Sequence, residues 1–132
     1  MNIEFQTNDE NKKVELRNIK EVGPDTYECL ACITSGWLMC ERQFFFGKYY
    51  AQQFLQSLIE MSSSFSGVAE LKADYEEQIL AVSCNHMGKV VVSGEFFEHS
   101  ELAQSIEFGF ATDQTIIADL VDQFSKLLES HG

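Results

Sequence analysis

The chain has 132 residues, the size of one domain, and a chain of that size needs no disulfide or metal to bury a core. It is 45% hydrophobic and 23% charged, but nine Lys and Arg face 21 Asp and Glu, a formal net charge of −12. That balance argues against nucleic acid and anionic membrane surfaces as partners, because both need a basic footprint.

The charge is uneven. Residues 1–48 hold 6 basic and 8 acidic side chains, and residues 49–132 hold 3 basic and 13 acidic ones. No segment approaches the roughly 20 apolar residues of a membrane-spanning helix. The start of the chain lacks both a basic region and an apolar run, so no secretory signal and a cytoplasmic location are expected. Cys29, Cys32, Cys40 and Cys84 are then expected as free thiols. Nothing resembles a linker, and no repeat shows at periods of 20 to 50 residues. A single domain, 1–132, is expected.

In chain order, residues 3–5 and 14–17 read as short strands joined by a polar loop, 6–13. Gly23, Pro24 and Asp25 form a turn. Residues 27–34 and 37–46 read as a hairpin around Ser35 and Gly36, pairing Thr34 with Trp37 and Ile33 with Leu38. Tyr27, Cys29, Ala31 and Ile33 then share a face with Leu38, Cys40, Arg42, Phe44 and Phe46, the better core of the two. Apolar residues at helical spacing predict a helix over 48–62, ended by the serines 62–64 and Gly67. A short strand over 69–73 follows. Residues 78–84 and 89–97 form a second hairpin, with Gly88 in the left-handed position of its turn. Residues 105–110 alternate cleanly, with Ile106, Phe108 and Phe110 inward and Glu107 outward. Thr112 or Asp113 caps a last helix carrying Ile116, Ile117, Leu120, Val121, Phe124, Leu127 and Leu128. This order predicts an α+β, two-layer domain: a largely antiparallel sheet of about six to seven strands with two helices packed on one face.

Motifs for catalysis are missing. Cys29 and Cys32 have half the spacing of a zinc site, but residues three apart in a strand point to opposite faces, and no second pair or suitably spaced His completes it. His86, His99 and His131 have no indicated partner. Nucleophile elbows and Gly-rich phosphate loops are absent. The reading is a protein that is not an enzyme and uses no metal or cofactor.

Gly67, Ala69 and Leu71 are followed by an acidic stretch. A hairpin then turns at Gly88 and returns through Val90, Val91, Val92, Ser93 and Gly94. Next come the alternating Ile106, Phe108 and Phe110, and then Thr112, Asp113, Gln114 and Thr115 before an apolar helix. Over roughly residues 44–128 this resembles the WapI-type immunity proteins of bacterial polymorphic toxin systems and related small families of undefined function. The resemblance implies a non-catalytic interaction protein that binds and blocks a toxin domain, with nucleases among the toxins. It supplies no contact residues.

The contacts are therefore expected from charge. A nuclease cleft is basic, and an acidic inhibitor matches its potential. The candidates are Glu70, Asp74, Glu76 and Glu77, and Glu95, Glu98, Glu101 and Glu107. An alternative is a generic binding or homodimerising module. Its surface would be Trp37 and Met39, rimmed by Glu28 and Glu41, on the second face of the first hairpin.

Overall fold

A computed structural model describes residues 1–74, 79–98 and 104–130. The elements run β1 (Ile3–Phe5), β2 (Lys12–Gly23), β3 (Thr26–Ser35), β4 (Leu38–Gly47) and α1 (Lys48–Ser64). They continue with β5 (Gly67–Lys72), β6 (Ile79–Cys84), β7 (Val90–Glu98), β8 (Gln104–Thr112) and α2 (Thr115–Ser130). The class is α+β, as expected, but the expected single sheet of six to seven strands is wrong. There are two four-stranded antiparallel meanders, β1-β2-β3-β4 and β5-β6-β7-β8. The physical reason is the exit of the chain into α1 at Gly47, after which β5 opens a new ladder.

The first sheet turns tightly at each end. Asn18 adopts the left-handed conformation (φ 55°), which Asn tolerates, and bulges β2 between Arg17 and Lys20. Its N–H donates to Asn2 Oδ1 at 2.9 Å, and the Ile19 N–H donates to the Met1 carbonyl at 2.8 Å. The β3–β4 turn is Gly36 and Trp37, so Ser35 pairs with Leu38 and Ile33 with Cys40. The expected pairing of Thr34 with Trp37 and of Ile33 with Leu38 is thus displaced by two residues. Because side chains alternate with period two, that slip leaves every residue on its expected face.

The inner faces are largely apolar, although Arg42 stands opposite Ala31 and Thr112 opposite Val90: Ile3, Phe5, Val14, Leu16, Tyr27, Cys29, Phe44 and Phe46 line the first sheet, and Ala69, Leu71, Leu80, Val82, Val90, Val92, Phe96 and Phe110 the second. Phe44 meets Phe96 edge-on across the sheets, ring centroids 6.0 Å apart. Gly94 pairs with Phe108, whose ring lies where a Cβ on Gly94 would stand, 2.6 Å from it. The helices do not lie side by side on one face of one sheet. They pack on each other, with Phe54 of α1 and Phe124 of α2 at 4.9 Å, and Phe5 of β1 touches both rings.

The two halves are copies of one plan, four strands then a helix. The Asp74 N–H donates to the Phe45 carbonyl at 3.0 Å, and the Asn8 N–H donates to the Ala111 carbonyl at 3.0 Å. The same spacing separates Asn8 from Asp74 and Phe45 from Ala111. It also carries the buried positions of α1 onto those of α2: Ala51 onto Ile117, Phe54 onto Leu120, Leu58 onto Phe124 and Met61 onto Leu127. Each half closes the other's seam. The spacing exceeds the 20 to 50 residues of common repeats, and most equivalent positions differ in identity.

Candidate functional site

The outer face of the second sheet brings three of the expected carboxylates together. Register places Glu95 directly opposite Glu107, with Ile79 and Lys72 completing that row across the sheet. The next row is Glu70, Ala81, Ser93 and Gly109. An open trough of 470 Å³ runs between the rows, with Glu70, Glu95 and Glu107 at its rim. Among the described residues none of the three makes an ion pair. Like charges directly across a ladder are destabilising, so the Glu95–Glu107 pair is held by the fold rather than holding it.

The lining of the trough includes the small Ala81, Ser93 and Gly94 beside Val68, Ile79 and Phe108. At equivalent positions of its outer face the first sheet carries Glu15 for Ala81 and Arg17 for Ser83, with Glu41 ending the row of Glu15 where Gly109 ends the row of Ala81. There the outer face is covered by long polar groups: Arg17 Nε donates to Glu15 Oε2 at 3.1 Å, Gln43 donates to Glu28, and Lys20 stands 4.0 Å from Glu28. Gly109 is not demanded by its backbone, since an added Cβ would meet only Val91 Cγ1 at 3.7 Å, an ordinary contact. A glycine within a strand weakens it, so this one clears the surface at some cost in stability.

The other expected contacts divide. Asp74 is not a surface contact: its carboxylate accepts the Gly47 N–H at 2.6 Å, at the junction of β4 and α1. Glu76, Glu77 and Glu101 lie outside the described residues, as does the side chain of Glu98. Of the histidines, His86 is exposed in the β6–β7 turn, while His99 and His131 lie outside the described residues. On the first hairpin Trp37 is 93% exposed and Met39 66%, and Glu41 is exposed beside them. Glu28 is committed to Gln43 and Lys20.

A second concavity went unnoticed in the sequence. It has a volume of 260 Å³ and runs between α1, through Tyr49, Tyr50, Gln53 and Ser57, and the free edge of β5, through Val68, Glu70 and Lys72. It shares Val68 and Glu70 with the trough. A third, of 510 Å³ at the β1–β2 turn, mixes Lys12 and Lys13 with Glu4, Asp9 and Glu10, and so offers no potential of one sign.

The cysteines do not converge. Cys29 is buried on the inner face, where its Sγ donates to the Phe44 carbonyl, and burial pushes its thiol up to about 12. Cys32 lies on the outer face between Glu15 and Glu41, with its thiol raised chiefly by burial. Among the described residues no three His, Cys, Asp or Glu side chains are grouped to hold a metal ion, and no helix is long and apolar enough to cross a membrane. Comparison with family models, curated proteins and solved structures finds no match to this chain.

Proposed function

We propose that the chain is a non-catalytic, acidic interaction protein that binds and neutralises a basic, nuclease-type bacterial toxin domain. The observation that carries this reading is the convergence of Glu70, Glu95 and Glu107 on one cleared sheet face. A basic cleft would meet there a net negative potential, three carboxylates against Lys72 at the end of the row, with Ala81 and Ser93 leaving room for approach. The resemblance to WapI-type immunity proteins points the same way. The protein acts in the cytoplasm on this reading, and does no chemistry.

The test is to establish whether a neighbouring gene encodes a nuclease-type toxin domain and to co-express the two. Wild type restores growth and forms a complex whose affinity falls at least about tenfold between low and high salt. Glu70→Gln/Glu95→Gln/Glu107→Gln loses protection. A triple variant that protects as well as wild type overturns the carboxylate mechanism, and failure of wild type to protect overturns the toxin reading.

A second reading, a homodimerising or generic protein-binding module, is favoured by the exposure of Trp37 and Met39 on one hairpin tip. Light scattering decides it: a dimer that Trp37→Ala converts to a monomer supports it, and a monomer in both ends it.

A further inference from the structure

The duplicated plan makes each half a control for the other, and one comparison exposes a difference in the backbone. β1 and β5 are equivalent edge strands, and Glu4 is equivalent to Glu70. In the first half the edge is closed. Gln123 of α2 lays its side-chain amide along β1: the Glu4 N–H donates to Gln123 Oε1 at 3.2 Å, and Gln123 Nε2 donates to the Glu4 carbonyl at 3.2 Å. The Gln123 amide is itself held by Asp119 Oδ2 at 2.8 Å. A carboxamide here takes the place of the peptide group of a neighbouring strand.

In the second half the helix position equivalent to Gln123 is Ser57, too short to reach. The Glu70 N–H and carbonyl nevertheless point to the free edge. The Asn85 N–H donates to the Lys89 carbonyl at 3.0 Å, and this sets the alternation of the β6–β7 ladder. Ala81 exchanges its backbone bonds with Ser93, so Leu80 and Val82 turn theirs to β5, where they face Leu71 and Ala69. Glu70, opposite Ala81, is left facing outward. Among the described residues no side chain closes the edge at Glu70 as Gln123 closes it at Glu4. Beside it stands the 260 Å³ groove walled by Tyr49, Tyr50 and Ser57.

We infer that the β5 edge is a strand-addition site, taking an extended peptide segment of a partner protein into the groove beside α1. The segment's backbone supplies the acceptor and donor for Glu70 that Gln123 supplies for Glu4. An exposed edge offers such a row of unpaired groups, and pockets beside it select the side chains. The exposed carboxylate of Glu70 favours a basic residue in the segment, and Tyr49, 65% exposed, offers a ring face to it. The inference rests on backbone geometry and does not depend on the partner being a toxin.

The test uses the full-length chain in three arms. Hydrogen exchange of the free protein compares the two edges: the Glu70 amide exchanges at least about tenfold faster than the Glu4 amide, and Gln123→Ser brings Glu4 to the rate of Glu70. A synthetic peptide of alternating Lys and Val is then titrated and followed by amide NMR. It shifts Val68, Glu70 and Lys72, and a version N-methylated at alternate residues, with the same charge and side chains, binds at least about tenfold more weakly. Ser57→Gln, which installs the missing amide, slows Glu70 exchange and abolishes peptide binding while the protein stays folded. Slow exchange at Glu70 in the free wild type, equal binding of the methylated peptide, or shifts located on another surface each overturn the inference.

Discussion

The carboxylate of Asp74 accepts the backbone N–H of Gly47 at 2.6 Å, and the Asp74 N–H returns a bond to the Phe45 carbonyl at 3.0 Å. Two bonds therefore tie the end of β4 to the segment after β5. The carboxylate also stands at the N-terminus of α1, where negative charge is favoured. Asp74→Ala should lower unfolding free energy by about 1–3 kcal/mol, because it leaves a charge-assisted bond unmade in a half-buried place. Asp74→Asn, which keeps the acceptor, should cost less than half as much. Urea unfolding of the two variants checks both the size and the order.

Gly94 has a different reason to be glycine. Its missing Cβ is filled by the ring of Phe108, at 2.6 Å, with the Ile79 carbonyl 3.0 Å away. Gly94→Ala should destabilise by about 1–3 kcal/mol through overpacking. Phe108→Leu should recover part of that loss in the double variant, since the leucine yields where the ring does not. Additive losses in thermal unfolding would reject the contact as the cause.

Asp113 caps α2, accepting the Thr115 N–H at 2.9 Å and the Thr115 hydroxyl. These bonds favour the carboxylate and hold Asp113 below its ordinary value of 3.8. The folded value is the lower one, so the cap stabilises fully above the unfolded value and loses its effect as the pH falls through the folded one. Asp113→Ala should lower Tm by a few degrees at pH 7 and by progressively less below about pH 4, where wild type loses the same bond. A Tm difference that does not change with pH would show that the charge is irrelevant.

Glu95 and Glu107 oppose each other across β7 and β8. Glu107→Gln should raise stability by about 0.2–1 kcal/mol by removing the repulsion. The same substitution should weaken partner binding on the proposed reading. A gain in stability together with a loss of affinity is the signature of a surface kept for binding. Chemical denaturation and a titration with the partner measure the two sides.

Cys29 has its thiol pushed up to about 12 by burial, whereas Cys40 is only half-buried. Iodoacetamide at pH 8 should label Cys40 and leave Cys29 unmodified until the protein unfolds. Mass spectrometry of the native, labelled chain reads this directly.

Much of the fold was legible because period and turn chemistry report local geometry. Alternation in β3, β4, β7 and β8 put Phe44, Phe46, Ile106, Phe108 and Phe110 on the correct face, and Gly88 took the left-handed turn position, with φ 82°. Sheet count was not legible. Whether β5 pairs with β4 or begins a new ladder depends on long-range docking of α1, and no local pattern encodes it. The duplication was hidden because the halves share burial and hydrogen bonds far more than residue identity. Charge was read correctly as a local excess but not as a placement. Glu70, Glu95 and Glu107 meet through register, while Asp74, equally acidic, is drawn to a backbone N–H. The open edge at Glu70 was beyond reach, since it is defined by the shortness of Ser57, whose place beside that edge only the packing of α1 on β5 reveals.

The crossed seams have a consequence for how the chain reaches its native state. Thr112 bonds to the carbonyl of Gln6 across 106 positions, and Gln123 to that of Glu4 across 119. β1 therefore finds its final neighbours only when the last helix is in place. Loops of that length close late, so folding should be slow for a protein of this size and should finish with the first strand and the last helix locking together. During synthesis the amino-terminal meander waits, incomplete, until α2 has been made.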